Sequence, residues 1–217
     1  MNLLPVWVSL QVAALATMLT LLTGLPVAWA LGRRRFPGHG LAETAVILPL
    51  VLPPTVLGYY LLVLISRTGP IGGFLARFGV DLAFTLRAAV LASWIGAFGL
   101  FVRAAQSGFE LVDGSLEDAA RTLGRSEWAL FWTVTLPLAW RAVLAATVVA
   151  FCRAMGDFGL TLVVAGNLRG PDQTMPLAIY DQVQGNRLDL ANELSLVTLG
   201  LVGFLLLFVG RLSRARR

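Results

Sequence analysis

Hydrophobic residues in this chain run in long unbroken blocks and show little of the period of 2 or 3.6 that marks an element buried on one side only. No charge stands between Met1 and Gly32, and the apolar run 6–31 is long enough to cross a bilayer even when tilted. A second charge-free block covers 44–66. A third, Ala88 to Val102, reaches spanning length as 87–106 if Arg87 and Arg103 snorkel to opposite interfaces. Two more spans are predicted at 138–157, despite internal charges, and at 191–210, with Pro137 as a natural break before the fourth. The pattern predicts an all-α integral membrane protein, a single domain over 1–217 with about five transmembrane helices.

The arginines give this layout a direction. Arg33, Arg34 and Arg35 follow the first span, whereas a cleaved signal peptide carries its positive charge before a shorter apolar core. The expected topology is multi-pass in the cytoplasmic membrane, amino terminus outside and carboxyl terminus inside. The triple arginine, the segment 103–141 and the tail Arg211, Arg214, Arg216, Arg217 then face the cytoplasm, leaving Arg67, Arg77, Arg87, Arg169 and Arg187 outside.

Composition removes several alternatives. With 57% hydrophobic and 13% charged residues and a mean hydropathy of +0.78, the chain lies outside the range of soluble domains. A net charge of +5 could suit nucleic acid, but the arginines flank apolar runs and form no basic face interleaved with aromatics. All 17 basic residues are arginine, so a Walker A lysine, a Schiff-base lysine and a kinase lysine are absent, and no catalysis or ATP hydrolysis is expected of this chain. Cys152 and His39, one of each, cannot make a disulfide or a multi-ligand zinc site.

Between the third and fourth spans lies Glu117-Asp118-Ala119-Ala120-Arg121-Thr122-Leu123-Gly124, then nine residues, then Val134-Thr135-Leu136-Pro137. Acidic Glu117 and Asp118 suit a helix amino terminus, two alanines permit close approach, and Gly124 can supply a left-handed turn. By composition alone the segment reads first as an ordinary amphipathic helix lying at the membrane surface. The spacing resembles the EAA loop of ABC importer permeases, in which Glu-Ala-Ala is followed by three residues, Gly, nine residues, Ile, one residue and Leu-Pro. Aligned on Gly124, Asp118 takes the place of the Glu and Val134 that of the Ile, and Glu117 could substitute for Asp118 in contacting a partner. The resemblance implies that 117–137 forms a short coupling helix docked in a cleft of a separate ATPase subunit. Glu117, Asp118, Ala119, Ala120, Arg121, Gly124, Leu136 and Pro137 are its candidate residues.

Similarity extends along the chain. Leu48 to Tyr59, with Pro49, Pro53, Pro54 and Gly58, looks like the second-span signature of molybdate permeases, and sulfate permeases share a weaker version. Arg153-Ala154-Met155-Gly156-Asp157-Phe158-Gly159, Ala165-Gly166-Asn167 and Thr174 to Tyr180 again resemble the molybdate group, with Asp157 where that group usually has Glu. The prolines remove backbone donors and kink span two, either as a static bend or as a cavity-lining turn. Arg153 lies roughly 18 Å along the helix from Arg141, where an unpaired arginine would cost on the order of 2.5–3.5 kcal/mol. Asp157, four residues on, can neutralise it, as a structural pair or as part of an anion path. Pro53, Pro54, Gly58, Arg153 and Asp157 are therefore the candidate path or gate residues.

The resemblance implies the type I ABC importer permease fold, working as a twofold dimer with a second copy of itself. Two cytoplasmic ABC ATPase subunits would bind ATP and magnesium, and an extracytoplasmic molybdate-binding protein would deliver molybdate or tungstate. No cofactor is expected in this chain, and its remaining surroundings are lipid. Sulfate or thiosulfate is the alternative cargo. A secondary transporter or channel using Arg153 and Asp157 as an ion relay is the rival mechanism.

Overall fold

The computed structural model describes residues 4–167 and 172–214, and these contain helices and connecting turns with no strand. Met1, Arg169, Arg216 and Arg217, used above to read the topology, lie outside the described residues. Five helical segments are long and apolar enough to cross a membrane: Leu4–Arg33, Pro54–Ala76, Leu86–Glu110, Glu127–Met155 and Leu188–Phe208.

Helix α1 (Leu4–Arg33) and α5 (Leu86–Glu110) pack together over much of their length, and α8 (Leu136–Met155) closes the group. The joint core is built from small residues. Ala13, Ala16, Ala28, Ala97, Ala105, Ala139, Ala146, Ala150 and Ala154 are all buried in one cluster with Phe101, Phe109 and Phe131. Lipid tails are as apolar as leucine, so helix association here rests on close backbone approach and interdigitation, which alanine and glycine allow. Helix α11 (Leu188–Arg214) packs on α8 and on α10 (Met175–Gln184), and leaves Leu196, Leu199, Phe204, Leu207 and Phe208 exposed.

The second crossing differs from expectation. Residues 44–66 are two helices, α2 (His39–Val51) and α3 (Pro54–Ile65), separated at Leu52 and Pro53. Pro49 stays inside α2, but the tandem Pro53-Pro54 removes two successive donors and drives Leu52 into extended backbone, φ −63° and ψ 143°. Length and hydropathy select Pro54–Ala76 as the crossing, yet 70–76 folds back as α4 (Pro70–Ala76) against the carbonyls of Ile65 and Ser66. The continuation of α3 is α2: Glu43 reaches Arg103 and Gln106, Val46 and Leu50 lie against Gly99, and Leu61 and Ile65 join the cluster of Ala88 and Ala89.

The fourth crossing also departs from the predicted 138–157. Pro137 does not break it. Helix α7 (Glu127–Leu130) passes through a π-turn at Phe131–Thr135 directly into α8, in which Leu136 N–H donates to the Phe131 carbonyl. The wider turn gives the Pro137 ring room where an α-turn would press it on the carbonyl four residues earlier. The helix stops instead at Met155, and after Gly156 and Asp157 a new short helix, α9 (Gly159–Ala165), carries the chain on.

These two interruptions meet. A Cβ on Gly159 would stand 2.8 Å from Cβ of Pro54, and one on Gly58 2.9 Å from Cβ of Val163, so α3 and α9 touch backbone to side chain from their first residues. Gly58→Ala is expected to destabilise the chain by about 1–3 kcal/mol, as overpacking does, seen as a lower thermal unfolding midpoint in detergent, and Val163→Ala should restore the midpoint. An unchanged midpoint in Gly58→Ala would mean that α3 and α9 do not pack this closely.

Candidate functional site

The segment singled out by its spacing folds as α6 (Gly114–Thr122), outside the apolar blocks. Its amino cap is Asp113, whose carboxylate accepts from the Ser115 N–H at 2.9 Å, a cap that the reading of Glu117 and Asp118 as the amino terminus missed. That hydrogen bond, chiefly, holds the Asp113 carboxyl below its ordinary range. At the other end Gly124 has φ +76°, its N–H donates to the Arg121 carbonyl at 2.9 Å, and Arg125 N–H donates to the Ala120 carbonyl at 3.2 Å. This pair of bonds is a Schellman closure, which needs a left-handed residue at the position of Gly124.

Glu117 and Asp118, adjacent in sequence, have opposite environments. Glu117 is 3% exposed and forms the floor of a network. Arg33 Nη2 lies 2.5 Å from one of its oxygens and Nε 3.0 Å from both, while Thr135 Oγ1 donates to it at 2.6 Å. The same guanidinium donates through Nη1 to the carbonyls of Phe109, at 3.3 Å, and Val112, at 2.9 Å. One buried ion pair thus ties the end of α1, the end of α5, α6 and the π-turn. Glu117 is therefore unavailable to substitute for Asp118, because both of its oxygens are committed and water does not reach it.

The Asp118 side chain is 75% exposed and, among the described residues, is held only by Arg121 Nη1, at 2.7 Å. Arg121 also meets Glu127 at 2.8 Å, so its guanidinium, raised further above its ordinary range chiefly by that hydrogen bond, links α6 to the foot of α7. Leu116, Asp118, Ala119, Thr122, Leu123 and Gly124 make an exposed face, with Ala120 half-buried beneath it. Leu136 packs against the main core and Pro137 lies exposed on the first turn of α8, so these two candidates belong to the foot of α8 and not to α6.

The second constellation sits at the paired interruptions. Asp157 is 3% exposed and accepts from Arg153 Nη1 at 3.0 Å, Thr161 N–H at 3.1 Å and Thr161 Oγ1 at 2.8 Å. It joins the last turn of α8 to the first turn of α9, supplying acceptors where the backbone ladder is broken. Both groups lie beside Gly96, about 15 Å along α5 from its first residue. The structure brings Pro54, Gly58, Arg153 and Asp157 into this one region, with Pro53 at the α2–α3 break. The Arg153 side chain remains 33% exposed.

Sequence reasoning did not find a polar cluster at the same end of the bundle as the start of α5. Asp181 on α10 accepts from Asn167 Nδ2 and from Gln173 Nε2, each at 2.6 Å, and Ser9 of α1 accepts from the Met175 N–H at 2.7 Å. The Thr174 to Tyr180 stretch could have signalled it, since Thr-Met-Pro starts a helix with proline at its second position.

A family model described as binding-protein-dependent transport system inner membrane component matches residues 24–215. The molybdenum transport system permease protein ModB of Escherichia coli K12 is 46% identical over 180 residues, 82% of this chain and 79% of that protein. The putative molybdenum transport system permease protein YvgM of Bacillus subtilis is 39% identical over 206 residues, 94% of this chain and 90% of that one. A probable sulfate transport system permease protein of Chlorokybus atmophyticus is 34% identical over 177 residues, 82% of this chain and 62% of that one. Among solved structures, an inward-facing MetNI methionine ABC transporter aligns with a TM-score of 0.74 at 18% identity over 97% of this chain and 94% of that one, which supports the fold.

The two acidic neighbours should respond differently to substitution. Glu117→Ala leaves Arg33 buried without its partner and is expected to destabilise the chain by about 3–5 kcal/mol, whereas Asp118→Ala should stay within about 0.5 kcal/mol. Thermal unfolding in detergent, with proteolysis of the 111–126 segment, measures both. Equal, small effects would show that Glu117 carries no such load.

Proposed function

The chain belongs to the family of binding-protein-dependent transport system inner membrane components, and from that membership we propose that two copies of it form the membrane passage of an ATP-driven importer for molybdate or tungstate. The observation that carries this reading is α6, a short helix held at its base by the buried Glu117–Arg33 pair and presenting Asp118, Ala119 and Gly124 outward. A permease without a nucleotide site needs a rigid contact through which a separate ATPase can move it, and α6 has the exposure and anchoring of such a contact. The names of the bacterial relatives support molybdenum oxyanions as cargo.

In this reading ATP and magnesium are bound by two cytoplasmic ATPase subunits, one under each α6, and no cofactor resides in this chain. A binding protein on the opposite face hands over the anion. Five crossings are few to enclose a passage, and a closed twofold pair is the common way to complete one. In this reading the amino terminus lies outside and the α6 end inside, which the arginine distribution supports.

Arg153 borders the passage. An arginine about halfway across the layer cannot present a third of its surface to lipid without heavy cost, so its free edge faces water, an anion or the second copy. Asp157 serves it from behind, as the group that fixes its position.

Uptake of labelled anions in cells lacking their own molybdate and sulfate transporters tests the cargo: molybdate should accumulate at low concentration. Robust sulfate uptake with no molybdate uptake would overturn the assignment.

Coupling is tested at Gly124. A Cβ there would meet no atom of the described residues within 4 Å, so Gly124→Leu should leave the protein inserted and folded, with a local backbone cost of about 1–2 kcal/mol from the positive φ. Its bulk should weaken copurification of the ATPase and reduce transport, with Gly124→Ala milder. A leucine variant that binds the ATPase and transports like the parent would remove α6 from the coupling path.

A further inference from the structure

Where α1 and α5 diverge toward the amino-terminal end of α5, they leave a groove of about 380 Å³ on the outer surface of the bundle. Its walls are Leu15, Met18, Leu19 and Leu22 on one side and Leu82, Val90 and Leu91 on the other. One helical turn beyond Leu91 the groove is closed, because Trp94 Nε1 donates to Thr23 Oγ1 at 3.2 Å and pins the two helices together. The result is a wedge that is apolar along its length, sealed toward the middle of the membrane and open toward one interface. Leu15, Met18 and Leu22 are exposed.

The single polar group in its lining is Arg87, at the open end. Arg87 is exposed and has no hydrogen bond or ion pair among the described residues. It occupies the first turn of α5, behind the Thr85 cap, where the helix dipole disfavours a cation. Neither helix stability nor an internal partner accounts for a positive charge at this place.

We propose that this groove is a binding site for one anionic phospholipid, with an acyl chain along the leucines and the headgroup phosphodiester on Arg87. Both helices are of membrane-spanning length, so the groove's natural solvent is lipid. A guanidinium pairs with a phosphate through two parallel hydrogen bonds, and its height at the start of α5 matches a headgroup with the tail directed inward. A zwitterionic lipid offers the same phosphate, but its own ammonium competes for it, so an anionic lipid is preferred. The inference depends on the fold alone and is separate from the nature of the cargo.

Native mass spectrometry of the full chain in detergent, titrated with phosphatidylglycerol or with phosphatidylethanolamine of the same acyl chains, tests it. Phosphatidylglycerol should be retained more tightly by about fivefold, the factor that one basic side chain contributes toward anionic lipid. Arg87→Gln should abolish that preference, Arg87→Lys should keep most of it, and Leu22→Trp, which fills the groove, should weaken both lipids. Arg187→Gln, an exposed arginine away from the groove, should change nothing. If Arg87→Gln retains the preference, or if Arg187→Gln loses it equally, the binding is not at this groove and the proposal fails.

Discussion

The Arg33 guanidinium, bonded at once to Glu117 and to the carbonyls of Phe109 and Val112, fixes the geometry of one whole face of the molecule. It closes the last turn of α5 by donating to the Phe109 and Val112 carbonyls and holds Glu117 at the foot of α6. It also stands in the last turn of α1, where the dipole favours a cation. Burying such a pair has a large desolvation cost, which the extra donors and acceptors must offset. Thr135 and two backbone carbonyls perform that service here. Loss of one member would leave the other charged and dry, so α6 cannot leave its seat without disturbing α1, α5 and the π-turn together.

At the other half of the bundle the constraint is reversed, and backbone continuity is what has been given up. Pro53 and Pro54 end α2, Gly156 to Phe158 end α8, and the two gaps lie side by side. A broken helix in a membrane exposes carbonyls and N–H groups that lipid cannot satisfy. Asp157 takes up the Thr161 N–H and the Arg153 charge at one gap, and the Leu52 N–H reaches back to the Leu48 carbonyl at the other. The breaks are thus chemically closed while remaining free of the rods that would stiffen them.

What the sequence made legible follows from what kinds of force are local. Blocks without charge announce spans because desolvation acts on each residue alone, and the left-handed turn at Gly124 follows from chain chemistry. The Glu117–Arg33 pair joins positions 84 apart, which no local pattern reveals, and so the more exposed role was open to either carboxylate. Proline was the least reliable signal. Pro53 and Pro54 interrupt a helix, Pro26 and Pro49 lie within one, and Pro137 is absorbed by a π-turn whose formation depends on packing around Phe131. The pairing of the two breaks required α3 and α9 to be placed in space, since Gly58 and Val163 share no sequence neighbourhood.

The absorbed proline has a mechanical consequence. From Glu127 to Met155 the chain is one rod of 29 residues, about 43 Å long at 1.5 Å per residue. Near its foot Thr135 is bonded to Glu117 beneath α6, and at its tip Arg153 is bonded to Asp157 at the paired breaks. A hinge at Pro137 would let the foot swing without moving the tip. Because the helix runs unbroken through the π-turn, in the importer reading proposed above a tilt imposed at α6 would be carried toward Asp157, where two helices have already been cut and lie against each other. In that reading the continuous helix and the paired breaks would form one device, the first carrying displacement across the membrane and the second giving it a place to reshape the passage.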